Sequence, residues 1–257
     1  MRELRVERDG ARLFALEDGV GPTVIMLHGG IADHRAALPF VAPLAAHHRV
    51  VTPDLRACGR SWWSGPLTFE LLADDVAALL DHIGEARAVI GGVSSGAGVA
   101  LRFAVRHAAR TLGLVLLRPI HAGATVGYTA EQRRSFAAMD AAASRAIADG
   151  VQVLRPMYVN LPQPMRARAL AMLDSLDPGS VVTTSRFLAA GSQPFESAED
   201  LSRLSMPVLL LPGNDSMHPA AVSALYAANI PGCTILDPAT PDVPSAIETF
   251  VARAGSD

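Results

Sequence analysis

Residues 91–98 read "GGVSSGAG" and contain Gly92-Val93-Ser94-Ser95-Gly96, a G-x-S-x-G pentapeptide. The flanking residues decide its meaning. Upstream, "ARAVIGG" (86–92) is a short apolar run of strand character; downstream, "GAGVALRFAVRHA" (96–108) has the spacing of a helix. Ser94 is therefore expected on a tight strand-to-helix turn, where Gly92 and Gly96 remove side chains that would clash. Such a turn lifts the serine hydroxyl above the sheet, beside a helix N-terminus whose amides favour an oxyanion. Ser94 is a candidate nucleophile on these grounds alone.

The same rhythm extends outward. "LRVERDG" and "ARLFALEDG" read as paired strands joined at Asp9-Gly10, a turn dipeptide. "TVIML" (23–27) is an unbroken apolar run, as expected of a strand covered on both faces, and "RVVTPD" is the next strand after a helical segment near 36–46. Between residues 68 and 84, Leu72, Val76, Leu79, Leu80 and Ile83 form one helical stripe, with Thr68 as N-cap and Gly84 as stop. "LGLVLL" (112–117), "PVLLL" (207–211) and "CTIL" (233–236) are further strands, with helices near 219–228 and at the C-terminus. This alternation predicts an α/β fold, a mostly parallel β-sheet flanked by helices. Residues 123–205 break the rhythm with helix-like stretches and no strand. The expected organisation is a core of residues 1–122 and 206–257 carrying a helical cap, 123–205, that walls off a pocket at the strand ends.

Composition narrows the function classes. The 257 residues are 50% hydrophobic and 18% charged, as in a compact chain with a large core. Net charge is −3 and no basic run occurs, so nucleic acid is not an expected partner. All 22 basic residues are arginines. Cys58 and Cys233 are the only cysteines, too few for a disulfide framework and without metal-site spacing. The N-terminal "MRELRVERDG" lacks a signal-peptide core and no apolar run spans a bilayer, so a cytoplasmic, membrane-free protein is expected.

"MLHGG" after one strand, "DLRACGRS" after the next, "GVSSGAG" at the turn and "LPGNDSMHP" after a late strand stand in the order found in the α/β-hydrolase superfamily. The chain resembles a small capped member, in the group of esterases, lactonases, haloperoxidase-like enzymes and carbon–carbon bond hydrolases. The likeness spans nearly the whole chain and is weakest in the cap. It implies that Ser94 is the nucleophile, that the Ser95 and Gly30 amides form the oxyanion hole, and that Asp215, four residues before Pro219, is the triad acid. It implies a small-molecule substrate and no cofactor.

One expected element is absent. The family takes its histidine from the loop after the last strand, but "CTILDPATPDVPSAIETF" contains none, and no histidine follows His218. Thr240, Pro241 and Asp242 stand about where it belongs. A serine hydroxyl needs a base at neutral pH. His218, three residues after Asp215 where relatives place a pocket residue, is one candidate. His121, after a strand expected beside the one carrying Ser94, is another. His28 shapes its loop and, like His121 and Arg118, is a candidate pocket residue; Asp237 and Asp242 are weak carboxylate bases, charge partners or, more simply, turn residues; Arg118 pairs with an internal carboxylate or an anionic substrate group; Trp62 and Trp63 wall the pocket or lie at the surface. His34, His47 and His48 have no assigned role. The favoured function is a serine hydrolase of a small ester, lactone or related acyl compound with a non-standard triad. The alternatives are a ligand-binding protein on the same fold and a lyase or isomerase using the same pocket.

Overall fold

The computed structural model describes residues 1–159, 161 and 163–255. Its strands are β1 (Arg2–Arg8), β2 (Ala11–Asp18), β3 (Thr23–Leu27), β4 (Arg49–Asp54), β5 (Ala88–Val93), β6 (Thr111–Leu117), β7 (Val208–Leu211) and β8 (Cys233–Ile235). They form one eight-stranded sheet in the order β1-β2-β4-β3-β5-β6-β7-β8. The β1–β2 and β2–β4 pairs are antiparallel and all others are parallel. Asp9 and Gly10, both with positive φ, make the β1–β2 turn.

The unbroken apolar runs acquire a period of two once both faces are covered. Ile25, Leu27, Ile90, Leu114 and Leu116 point to one side, into a core shared with two helices, α2 (Phe69–His82) and α3 (Ser95–Arg106). Val24, Met26, Val89, Val115 and Leu117 point to the other, against the short α1 (Leu38–Val41) and the C-terminal helix (Val243–Ala254). Every residue of β3 is buried. A parallel strand sandwiched between helices buries both sets of side chains, so alternation by polarity vanishes from its sequence. α2 runs as predicted: the Thr68 side chain accepts from Leu71 N–H and Gly84 adopts φ +75° beyond its end.

Between β6 and β7 lie α4 (Ala130–Ser144), α5 (Ala146–Asp149), α6 (Met165–Leu173), α7 (Pro178–Ala189) and α8 (Ala198–Ser202), with no strand among the described residues. Ile120, Phe136, Met139, Leu154, Leu173 and Leu188 give most of this segment its own apolar cluster. α9 (Ala220–Asn229) and α10, the C-terminal helix, complete the chain. The helix expected near 36–46 is instead α1 flanked by 3-10 turns at 34–36 and 42–46. Pro39 and Pro43 each lack the N–H that a continuous helix would use.

The order β4-β3-β5 means that the chain leaves β3 to one side and later returns to the other. In open α/β sheets the crevice at the carboxyl ends of two such strands is where ligands bind. The loop at residues 28–30 and the turn at Ser94 flank that crevice. The loop after β4 is anchored by a buried ion pair, Arg56 Nε to Asp75 Oδ2 at 2.8 Å and Nη2 to Oδ1 at 2.6 Å. Asp75→Ala strands the Arg56 guanidinium, whose side chain is fully covered. It should cost about 3–5 kcal/mol in urea unfolding, while Arg56→Met combined with Asp75→Leu should recover most of that loss.

Candidate active site

Ser94 follows β5 directly and opens α3 with φ 57° and ψ −117°, a conformation that L-residues rarely adopt. Its N–H donates to Leu117 O at 2.8 Å and its carbonyl accepts from Ala97 N–H at 3.1 Å. The two glycines of the pentapeptide are sterically required. A Cβ on Gly92 would lie 2.1 Å from Gly96 O, and one on Gly96 would lie 2.3 Å from His28 O. The Ser94 hydroxyl makes no capping bond and is half-buried.

The loop after β3 passes over this turn. A Cβ on Gly29 would meet Val93 O at 2.8 Å and Ser94 Cβ at 2.9 Å, which accounts for the first glycine of "HGG". His28 fastens the loop rather than moving protons. Its Nδ1–H donates to Gly29 O at 3.0 Å, and its Nε2 accepts from Leu55 N–H at 3.0 Å. Burial pushes its pKa down, and both nitrogens are spent on backbone. Gly30 N–H points at the start of α3 and donates to Ser95 Oγ at 2.7 Å.

His218 reaches Ser94 from the loop after β7. Its Nε2 lies 3.0 Å from Ser94 Oγ, and its Nδ1 lies 2.8 Å from Asp215 Oδ1. Two residues three apart in one loop align because the loop is a closed turn. Asp215 N–H donates to His218 O at 3.2 Å, and His218 N–H donates back to Asp215 O at 3.1 Å. Asp215 Oδ1 also accepts from the N–H groups of Met217 and His218, at 3.0 and 2.9 Å. Gly213 makes room for the turn, since a Cβ there would lie 2.4 Å from His218 Cβ.

Arg118 follows β6 with φ +50°, and its Nη2 donates to Asp215 Oδ2. Asp215 is thus held from both oxygens. Partial burial would raise its pKa, but His218 and Arg118 together keep it below the ordinary carboxylate value. The His218 pKa is lowered, chiefly because burial disfavours the imidazolium and further because Arg118 repels it; Asp215 opposes both effects. The outer side of Asp215 borders an open crevice of about 600 Å³ between the start of α4 and the β7–α9 loop, lined by Glu131, Arg134 and Asn214 among others.

The other sequence candidates fall outside this constellation. His121 is fully buried, meets Phe69 edge-on at 4.9 Å and has no hydrogen-bond partner on either nitrogen among the described residues. Burial pushes its pKa down to about 3. Among the described residues, His218 is the histidine bonded to Ser94. Asp237 and Asp242 bond to Ala239 N–H and Ser245 N–H, as turn and helix-capping residues do. Trp62 is half exposed, near Arg12, and Trp63 lies under the Arg56 guanidinium.

The sequence reading missed three features. Asp54 at the end of β4 takes His34 N–H, His34 Nδ1 and Arg60 N–H, each at 2.7 Å, and so clasps the loops after β3 and β4. Asp33, His34 and Asp54 bring three donor atoms within 4.8 Å of one another, as a metal would require. In this structure those atoms are engaged by one another and by Arg35, which binds both Asp33 oxygens. The others are the steric role of Gly213 and the side-chain bond of Ser95. "PGND" after a strand signalled a tight turn, but nothing local showed what the turn would face.

The sequence profile of the alpha/beta hydrolase fold matches residues 22–240, and the chain belongs to that family. It is 32% identical over 99 residues to the lipase LipV of Mycobacterium tuberculosis, a match covering 38% of this chain and 38% of the lipase. The chain spans only about two fifths of the length of that lipase and of a fungal proline iminopeptidase that it also matches. Its fold is similar to a thermophilic esterase from Thermogutta terrifontis (TM-score 0.78, 24% identity, 99% of both chains covered). It is similarly close to the enol-lactonase of Burkholderia xenovorans LB400 (TM-score 0.78, 20% identity, 99% of this chain and 100% of that one). At those identities the likeness is one of fold.

Because the Asp215–His218 turn fits only against a glycine, Gly213→Ala should push the imidazole outward into water. An NMR titration should find the His218 pKa below 6.5 in the parent protein and closer to 6.5 in the variant.

Proposed function

We propose that this chain is a cofactor-independent serine hydrolase of a small ester, lactone or related acyl compound, using a triad whose histidine comes from the β7 loop. The contact of His218 Nε2 with Ser94 Oγ at 3.0 Å carries this reading. Family membership and the esterase and lactonase among the similar folds support it.

In this mechanism Ser94 Oγ attacks the substrate carbonyl as its proton passes to His218 Nε2. The Nδ1–H of the resulting imidazolium donates to Asp215 Oδ1, which fixes the ring and offsets its charge. The oxyanion forms at the start of α3, where the Ser95 amide and the Gly30 loop converge. His218 then gives its proton to the leaving oxygen and activates the water that releases the acyl group. Residues 123–205 serve as the cap: Leu188 on α7 is the nearest neighbour a Cβ on Gly30 would meet, at 4.0 Å.

Labelling with a fluorophosphonate tests the relay. Ser94→Ala should abolish it, His218→Ala should slow it by about 10²–10⁴, and His121→Ala should leave it within a few-fold of the parent. No labelling of the parent protein would point instead to a binding protein or a lyase. Activity also depends on a neutral His218. Because the folded pKa lies below the ordinary 6.5, the base stays unprotonated further into acid. The acidic limb of kcat/KM for p-nitrophenyl acetate should therefore have its midpoint below pH 6.5, and a midpoint at or above it would contradict the assignment.

A further inference from the structure

The second oxyanion donor implied by family resemblance, Gly30 N–H, is already engaged: it donates to Ser95 Oγ at 2.7 Å. That hydroxyl belongs to the residue whose own amide opens the hole. We propose that the Ser95 hydroxyl is itself an oxyanion donor, with the Gly30 amide acting through it; the proposal rests on acyl chemistry at Ser94.

Hydrogen-bond accounting leads to this assignment. A serine hydroxyl offers one donor and two acceptor sites. Ser95 Oγ accepts from Gly30 N–H, and among the described residues no acceptor takes its hydrogen. The residue is only 6% exposed. A buried donor without an acceptor is costly, and this one sits beside Ser94 at the first position of α3. There the helix leaves its amides unpaired and its dipole favours negative charge.

The acceptor arrives with the reaction. When Ser94 Oγ bonds to the carbonyl carbon, the carbonyl π pair moves onto oxygen and the oxyanion takes the Ser95 N–H and O–H together. The hydroxyl proton stays on Ser95 throughout. An O–H bonded to an anion is shorter and about twice as strong as a neutral pair, and the Gly30 N–H on the same oxygen polarises it further. The ground-state carbonyl carries less charge, so the gain is concentrated in the transition state and falls on kcat.

The rival geometry is a plug, in which Ser95 Oγ fills the hole and must swing away to release Gly30 N–H. The two predict opposite effects of removing the hydroxyl. The test is hydrolysis of p-nitrophenyl acetate by the full chain and its Ser95→Ala, Ser95→Thr and Ser95→Cys variants, with fluorophosphonate labelling and thermal midpoints in parallel. Ser95→Ala should lower kcat by about 10–10³ with KM unchanged. Ser95→Thr, which keeps the hydroxyl, should recover most of the kcat lost in Ser95→Ala. Ser95→Cys, a weak donor of similar shape, should fall between them and carries the test if the alanine variant does not fold. A kcat in Ser95→Ala or Ser95→Cys equal to or above the parent value overturns the donor role while leaving the hydrolase reading intact. A parent chain that neither labels nor turns over overturns both.

Discussion

The left-handed backbone at Ser94 is the constraint around which the site is arranged. A non-glycine residue in such a conformation costs about 1–3 kcal/mol, and it persists only where its surroundings allow nothing else. Here β5 delivers the chain in register with β6, so that Ser94 N–H meets Leu117 O, and α3 begins at once on the other side. The turn is then sealed by backbone approaches that only glycine permits, Gly92 against Gly96 and Gly29 against Val93 and Ser94. The hydroxyl left outside this packing needs no capping partner.

The loop after β7 meets that hydroxyl by compression rather than length. Reciprocal backbone bonds between Asp215 and His218 close a single turn, and three donors on Asp215 Oδ1 aim the carboxylate along it. Carboxylate and imidazole therefore come from one short segment, whereas the β8–α10 loop contains no histidine. Its own carboxylates, Asp237 and Asp242, cap turns instead. Gly213 is the steric counterpart of Gly92 and Gly96: each lets one backbone segment lie against another.

Charge balance around the imidazole follows from Arg118. By binding Asp215 Oδ2 it orients the carboxylate and adds to His218 in holding its pKa below the usual range, yet its charge also opposes protonation of His218. Burial acts in the same direction and more strongly, so both effects favour the neutral imidazole. His121 shows the contrast. It shares the residue type and adjoins the next strand, but it sits among the rings of Phe69 and Tyr128, and neither of its nitrogens has a hydrogen-bond partner among the described residues.

Much of this protein was legible in its residues taken in order. Unbroken apolar runs at 23–27 and 112–117 declared strands covered on both faces, the stripe from Leu72 to Ile83 declared α2, and Gly92 and Gly96 around Ser94 declared the turn. Those are local properties, set by periodicity and by which residues tolerate a given backbone angle. The same patterns overstated the helix near 36–46, where two prolines break it. What remained open was the partner of Ser94, because His218 lies 124 residues away and reaches it only through the order of strands in the sheet. The burial of His121, the clasp at Asp54 and the bond from Gly30 to Ser95 belong to the same class. Each depends on which loops the parallel strands bring to one end of the sheet, and no local pattern encodes a distance between segments that meet only after folding.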